Sequence, residues 1–259
     1  MSKVFSLRIG NTPLLISVPH DGWQIPTDIV QYMSNAGRGI PDTDWHVAQL
    51  YDFASERGAS MLVAHYSRYV VDLNRPADDA ALYPGQLATG LCPLQTFAGR
   101  DIYLDPIDID QAARVEAYWR PYHDQLTQSL ALLREQHGYA LLWDAHSIVS
   151  RVPTLFDGDL PVLNIGTWDG RSCDPAIAAA VMSAAGQSDY DAVLNGRFKG
   201  GYTTRHYGDP DNGVHALQLE LAQRSYMHEV TLDYDRGKAT KIRVTLNAML
   251  DAYEGAGRQ

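Results

Sequence analysis

Residues 140–147 read Ala-Leu-Leu-Trp-Asp-Ala-His-Ser, and the change of character at Asp144 sets the reading of the whole chain. Ala140 to Trp143 is a short, unbroken apolar run, the pattern of a strand covered on both faces. Asp144 and His146 then set two ionisable groups two residues apart, on one face of extended chain. The same switch recurs elsewhere. Leu14 to Val18 runs into Pro19-His20-Asp21-Gly22, Tyr69 to Leu73 carries Asp72 and runs into Asn74-Arg75-Pro76, and His215 to Leu221 contains Gln218-Leu219-Glu220. Met61 to Ala64, Val162 to Ile165 and Ala192 to Leu194 are further strand candidates.

Helical periodicity lies between these runs. Val47, Leu50, Tyr51 and Ala54 share one face, and Ala112, Val115, Trp119, Tyr122, Leu126, Leu130 and Leu133 trace a longer stripe that Pro121 is expected to kink or divide. Asp174-Pro175 reads as an N-cap with proline at the first helical position, opening a helix to about Ala185, and a last helix runs from about Arg236 to Ala252. Strands alternating with helices predict an α/β fold: one domain spanning 1–259, with a largely parallel sheet flanked by helices. In such sheets functional groups collect beyond the carboxyl ends of the strands.

The bulk properties narrow the function. The 259 residues are 45% hydrophobic, enough for one sizeable core, and 21 Lys and Arg against 31 Asp and Glu give a net charge of -10. That average field repels nucleic acid and anionic membrane surfaces, so neither is an expected partner. The apolar run near the start is too short for a signal peptide core or a membrane span, which predicts a cytoplasmic protein. Cys92 and Cys173 lie in no metal or redox spacing and read as idle buried thiols.

Taken singly, each polar residue has an ordinary explanation. Any of the nine histidines serves a core or a surface, Asp72 and Asp144 cap strand ends, and Glu220 fits an alternating strand. In Pro41-Asp42-Thr43-Asp44-Trp45-His46, either aspartate also reads as an N-cap. The combination fits one task. Two imidazoles and a carboxylate leave a fourth position open on zinc, and a separate glutamate can act as general base. His20 and His146 are the natural nitrogen ligands, Asp44 the oxygen ligand and Glu220 the base, with Asp144 as support for a ligand.

At this point the chain resembles the N-formylglutamate amidohydrolase (deformylase) family over nearly its whole length. The resemblance rests on nine ordered segments: VPHDGWQIP (18–26), PDTDWHVAQLYDFA (41–54), SRYVVDLNRP (67–76), LYPGQ (82–86), TGLCP (89–93), YWRPYHDQL (118–126), LLWDAHSI (141–148), NGRFKGGYTTRHYG (195–208) and VHALQLELAQRSYM (214–227). It implies a zinc-carboxypeptidase-like (phosphorylase/hydrolase-like) fold with a mixed central sheet, distantly related to zinc carboxypeptidases and aspartoacylases. It assigns metal ligation to His20, Asp44 and His146, carboxylate binding to Asn74-Arg75, and water activation to Glu220. Carboxypeptidases carry their first two ligands as His-x-x-Glu, whereas His20 and Asp44 lie 24 positions apart, so Asp42 stays a rival to Asp44.

The implied reaction is hydrolysis of N-formyl-L-glutamate to formate and glutamate, closing a bacterial route of histidine breakdown. A dianionic substrate needs a second cation besides Arg75, and the segment 197–206 offers Arg205 first and Arg197 second, with His206 beside them. Trp45 or Tyr207 is the candidate wall against larger acyl groups. Zinc is the expected ion, and His and carboxylate ligands also accept cobalt, manganese or nickel. Two other readings stay open: a deacylase of another acidic N-acyl amino acid, and a binding protein for acidic amino acids without catalysis. The sequence does not choose between monomer and dimer.

Overall fold

The computed structural model describes residues 3–82 and 89–258, so most of the LYPGQ segment lies outside the described residues. Seven strands form one sheet: β1 (Phe5–Arg8), β2 (Leu14–Val18), β3 (Ser60–Ala64), β4 (Ala140–Ile148), β5 (Leu163–Gly166), β6 (Ala192–Leu194) and β7 (Val214–Ala222). Their order is β1-β3-β2-β4-β7-β5-β6. The central pairs β3–β2, β2–β4 and β4–β7 are parallel, as is β5–β6, while β1–β3 and β5–β7 are antiparallel. The sheet is thus mixed and largely parallel, as expected. Six of the seven expected strands form. β1 was not anticipated; its four residues, Phe-Ser-Leu-Arg, alternate in burial at the sheet edge, too short a run to stand out.

Tyr69 to Leu73 is a correction: this run is buried but is not a strand. Its backbone closes on itself, Val70 N–H to Ser67 O and Arg75 N–H to Asp72 O. Arg114, also buried, donates to the Val70 carbonyl at 3.0 Å, where a neighbouring strand would otherwise donate. The long stripe forms a helix Gln111–Arg114, a π turn Val115–Trp119 and a helix Arg120–His137 with Pro121 in its first turn. Proline has no N–H and crowds the carbonyl four residues back, and the widened turn relieves both demands without breaking the helix. The Asp174 cap holds as expected, accepting the Ala176 N–H at 2.7 Å, and the last helix reaches Gly257, beyond the expected end.

The sheet separates two apolar layers, and the strands alternate between them. Leu141, Trp143 and Ala145 of β4 and Leu217, Leu219 and Leu221 of β7 pack with the helices 175–185 and 236–257. Ala140, Leu142 and Ala216 face the helix 120–137. Continuing along this second face, Asp144 and His146 follow on β4 and Gln218 and Glu220 on β7. One face therefore turns from apolar to ionisable at the carboxyl end of the sheet, and the ionisable half is where the site forms.

Leu142 is fully buried on the inward side of that face, whereas Leu132 of the covering helix is 40% exposed. Leu142→Ala is expected to cost about 2–5 kcal/mol in urea denaturation and Leu132→Ala under about 0.5 kcal/mol. Equal losses would show that the alternation does not define the core.

Candidate active site

Parallel pairing sets Asp144 beside Gln218 and His146 beside Glu220. β2 lies on the other side of β4, and the chain leaving it delivers His20, while the Asp44 N–H donates to the His20 carbonyl and brings the 41–46 segment to the same place. His20, Asp44 and His146 are all buried, and their ligand atoms lie within 4.8 Å of one another. Among the described residues this is the one group of His, Cys, Asp or Glu that could hold a metal ion. Asp42, the rival carboxylate, is engaged elsewhere: its Oδ2 accepts the Tyr69 hydroxyl at 2.5 Å and the Phe97 N–H at 2.8 Å.

Both imidazoles are oriented the same way. His20 Nε2 lies 2.8 Å from Asp72 Oδ1 and His146 Nε2 lies 3.2 Å from Asp144 Oδ2, so each ring turns Nδ1 toward Asp44. A carboxylate behind a histidine fixes its tautomer and raises the basicity of the far nitrogen, the arrangement that supports a ligating imidazole. His20 Nδ1 is a buried atom with no hydrogen-bond partner, 3.8 Å from Asp44 Oδ2. An unsatisfied nitrogen lone pair in that position is costly unless a cation meets it.

The electrostatics agree. Burial and then the nearby Arg68 charge lower the His20 pKa below the ordinary range, which keeps this ring neutral. Burial also works against a charged His146, but Asp144 and Asp44 on either side more than offset it and hold its pKa well above the usual value. His146 Nδ1 lies 3.0 Å from Asp44 Oδ2. Asp44 keeps its own proton off: burial raises its pKa, and the His146 bond, with the charges around it, outweighs that. Ser147 N–H donates to the same carboxylate at 3.0 Å.

His20, His146 and Glu220 line a cavity with Arg68, Asn74, Arg75, Arg197, Gln218 and Gly201, and with Phe97, Ile148, Leu155 and Phe198 as apolar wall. Burial, more than any neighbour, pushes the Glu220 carboxyl upward from its ordinary pKa. Arg75 and Arg197 bring two guanidinium groups to this cavity. Arg75 is braced by Thr89, whose carbonyl and hydroxyl accept from it at 2.8 and 3.0 Å, and Arg197 Nε donates to the Leu155 carbonyl at 2.7 Å. Asn74 is committed within the site: Oδ1 accepts the Thr203 N–H and Nδ2 lies 3.0 Å from His146 Nε2.

The structure does not bring Arg205 and His206 into this cavity. Arg205 donates to the carbonyls of Gly200 and Leu82, and His206 stacks on Tyr202 along the short helix Tyr202–Tyr207. Trp45 and Tyr207, the expected walls, also lie elsewhere; Tyr207 packs on His123. Among the lining residues that were not anticipated are two that contact the carboxylates of the site. Arg68 is buried, pairs with Asp72 at 2.7 Å and comes within 3.8 Å of Asp44. Its spacing of four from Asp72 was a visible charge-pair signal, masked by reading the next residues as a strand. Gln218 is the second, hidden by its alternating strand.

Residues 12–227 match the family described as N-formylglutamate amidohydrolase. The chain belongs to this family. N-formylglutamate deformylase of Pseudomonas putida is 49% identical over 97% of this chain and 96% of its own length. The N-formylglutamate deformylase of Pseudomonas aeruginosa is 48% identical over 100% and 99%. The crystal structure of N-formylglutamate amidohydrolase from Ralstonia eutropha JMP134 superposes with a TM-score of 0.82 at 26% identity, covering 98% of each chain. As an N-formylglutamate amidohydrolase family member the chain is an amide hydrolase. Every site residue named above falls within the matched region, and the terminal helix Arg236–Gly257 falls outside it.

In this family member the Leu73–Arg75 backbone is gripped from behind. His123 Nε2 lies 2.9 Å from the Leu73 carbonyl, and Trp119 Nε1 donates to the Arg75 carbonyl at 2.9 Å. Burial holds the His123 pKa down at about 3, so the folded protein keeps the ring neutral while the unfolded chain protonates it near 6.5. Its contribution to stability is complete above pH 6.5 and is lost as pH falls toward 3. Between pH 7.5 and 5 the wild type should lose about 2 kcal/mol more than His123→Gln in urea denaturation. Parallel losses in the two proteins would show that His123 is not the buried neutral group.

Proposed function

We propose that this enzyme hydrolyses N-formyl-L-glutamate to formate and L-glutamate, using a divalent transition metal held by His20, Asp44 and His146. The observation that carries the metal is the buried, partnerless Nδ1 of His20 facing Asp44, with Asp72 fixing the ring from behind. The donor set, two imidazole nitrogens and one carboxylate oxygen, suits zinc and also accepts cobalt, manganese or nickel. When bound, such an ion supplies Lewis acidity toward a carbonyl and toward water.

The chain's own residues account for the rest. Glu220 takes a proton from the water that adds to the formyl carbon, then returns it to the amine as the C–N bond breaks, giving formate and the free amino group. Arg75 and Arg197 hold one carboxylate each; Arg197 takes the place first given to Arg205, because it lines the cavity and Arg205 does not. Asn74 lies beside His146, its Oδ1 tied to the Thr203 N–H, and Phe97, Ile148, Leu155 and Phe198 pack against the aliphatic part of the substrate. The names of the relatives support this choice of substrate. In this role the enzyme closes a bacterial route of histidine breakdown in the cytoplasm, with a carboxypeptidase-like centre. No helix among the described residues is long and apolar enough to cross a membrane.

Three measurements test the reading. Glu220→Gln should lower kcat for formate release by about 10²–10⁴-fold with bound metal unchanged, and near wild-type turnover would remove Glu220 as the base. Asp44→Ala should purify without stoichiometric metal while Asp42→Asn retains it, and Asp72→Asn should weaken metal affinity about 10- to 100-fold. The reverse pattern for Asp42 and Asp44 would exchange their roles. Arg197→Ala should cut kcat/KM for N-formyl-L-glutamate about 10- to 100-fold and leave N-formyl-L-alanine nearly unaffected, since only the former has a second carboxylate. Equal losses on both substrates would move the second carboxylate away from Arg197.

A further inference from the structure

Gln218 is buried on β7, two residues before Glu220 and on the same face of the strand. Its Oε1 accepts the Gly201 N–H at 2.7 Å, and its Nε2 lies 3.3 Å from Glu220 Oε2. A backbone N–H can only donate, so the Gly201 contact fixes which end of the amide is oxygen and turns the NH2 group toward Glu220. Gly201 is itself seated tightly. A Cβ there would stand 2.2 Å from Asn74 Nδ2, and one at Gly166 would stand 2.6 Å from Gly200 N. Thr203 N–H ties the same segment to Asn74 Oδ1 at 2.9 Å. Gln218 therefore presents an oriented donor, braced by main chain, to a buried carboxylate.

Resting on the reading of Glu220 as general base, we infer that Gln218 is the residue that positions it. By engaging one Glu220 oxygen, Gln218 holds the carboxylate in a single orientation and leaves the other oxygen for the proton of the attacking water. The Gly201 bond also connects Glu220 to the 197–201 segment that carries Arg197 into the cavity, so base and substrate-binding cation keep a fixed spacing. A purely structural role for Gln218, as an anchor for Gly201, makes a different demand: it needs only the Oε1 acceptor.

Two substitutions separate these roles. Gln218→Met keeps the length and loses both bonds. Gln218→Glu keeps an acceptor for Gly201 but sets a second carboxylate against Glu220, which either repels it or shares a proton with it, so that Glu220 is no longer a free base. In formate release from N-formyl-L-glutamate by the metal-loaded enzyme, both variants should lose about 10- to 100-fold in kcat, the worth of a hydrogen bond to a charged group, while KM stays within about twofold. Bound metal should match the wild type. Wild-type kcat in Gln218→Glu, or a loss confined to KM, overturns the inference; should Gln218→Met fail to fold, Gln218→Glu decides alone. Glu220→Gln in the same assay separates the two claims. If it keeps wild-type kcat, the reading of Glu220 as base fails; if it collapses while Gln218→Glu does not, only the role of Gln218 falls.

Discussion

A carboxylate sealed from solvent is unfavourable by several kcal/mol unless each of its oxygens meets a donor or a cation, and Asp72 is the fully buried carboxylate on which this site is built. Oδ2 takes the Arg68 guanidinium at 2.7 Å, while Oδ1 takes both His20 Nε2 and the Asn74 N–H at 2.8 Å. Burial raises its pKa, and Arg68 and His20 more than offset the rise, so it stays an anion. Three parts of the site are thereby placed by one group: the His20 imidazole, a buried cation and the start of the Asn74-Arg75 pair. Arg68 is held a second time by the Phe97 ring, 4.8 Å from its guanidinium carbon, on the wall of the cavity.

The same logic extends outward. Asp44, Asp72 and Asp144 converge within a buried region whose fixed positive charge is chiefly Arg68, so the interior is short of positive charge. His146 lies between Asp144 and Asp44, within 3.2 Å of each, and the orphaned His20 nitrogen marks where more positive charge is wanted. Surrounding this anionic centre, Arg75 and Arg197 line the cavity that opens onto it. An acidic protein can thus present cations to an anionic ligand because the sign of charge changes over a few ångströms, and net charge carries no information on that scale.

Much of this was legible because β strands write their faces into sequence with a period of two. The passage from Leu142 to Asp144 and His146, and from Ala216 to Gln218 and Glu220, marks where the covering helix ends and the cavity begins. The sheet order and the antiparallel entry of β5 were not written there, since nothing local to residues 163–166 states the direction of their partner. Nor was the choice between Asp42 and Asp44: the two sit in irregular chain, and which one faces the histidines depends on Tyr69 and Phe97 capturing the other from far along the sequence. Tyr69 to Leu73 misled for a related reason. An apolar run records burial, and here burial comes with turns whose carbonyls are met by the Arg114 side chain. Arg205 and Arg197 were indistinguishable as charges; the helix 202–207 carries one away from the cavity that the other lines.

The seating of Gly201 against Asn74 bears on how far this catalyst can be reshaped. One wall of the cavity at that point is main chain, with no side chain to shorten. Enlarging the cavity by trimming must therefore proceed elsewhere, at Ile148 or Leu155, which line it from other stretches of the chain. Any side chain introduced at 201 would instead be driven into Asn74, and through it toward His146. The shape of the cavity at this point is in this sense written in backbone, the component of a protein that side-chain variation is least able to edit.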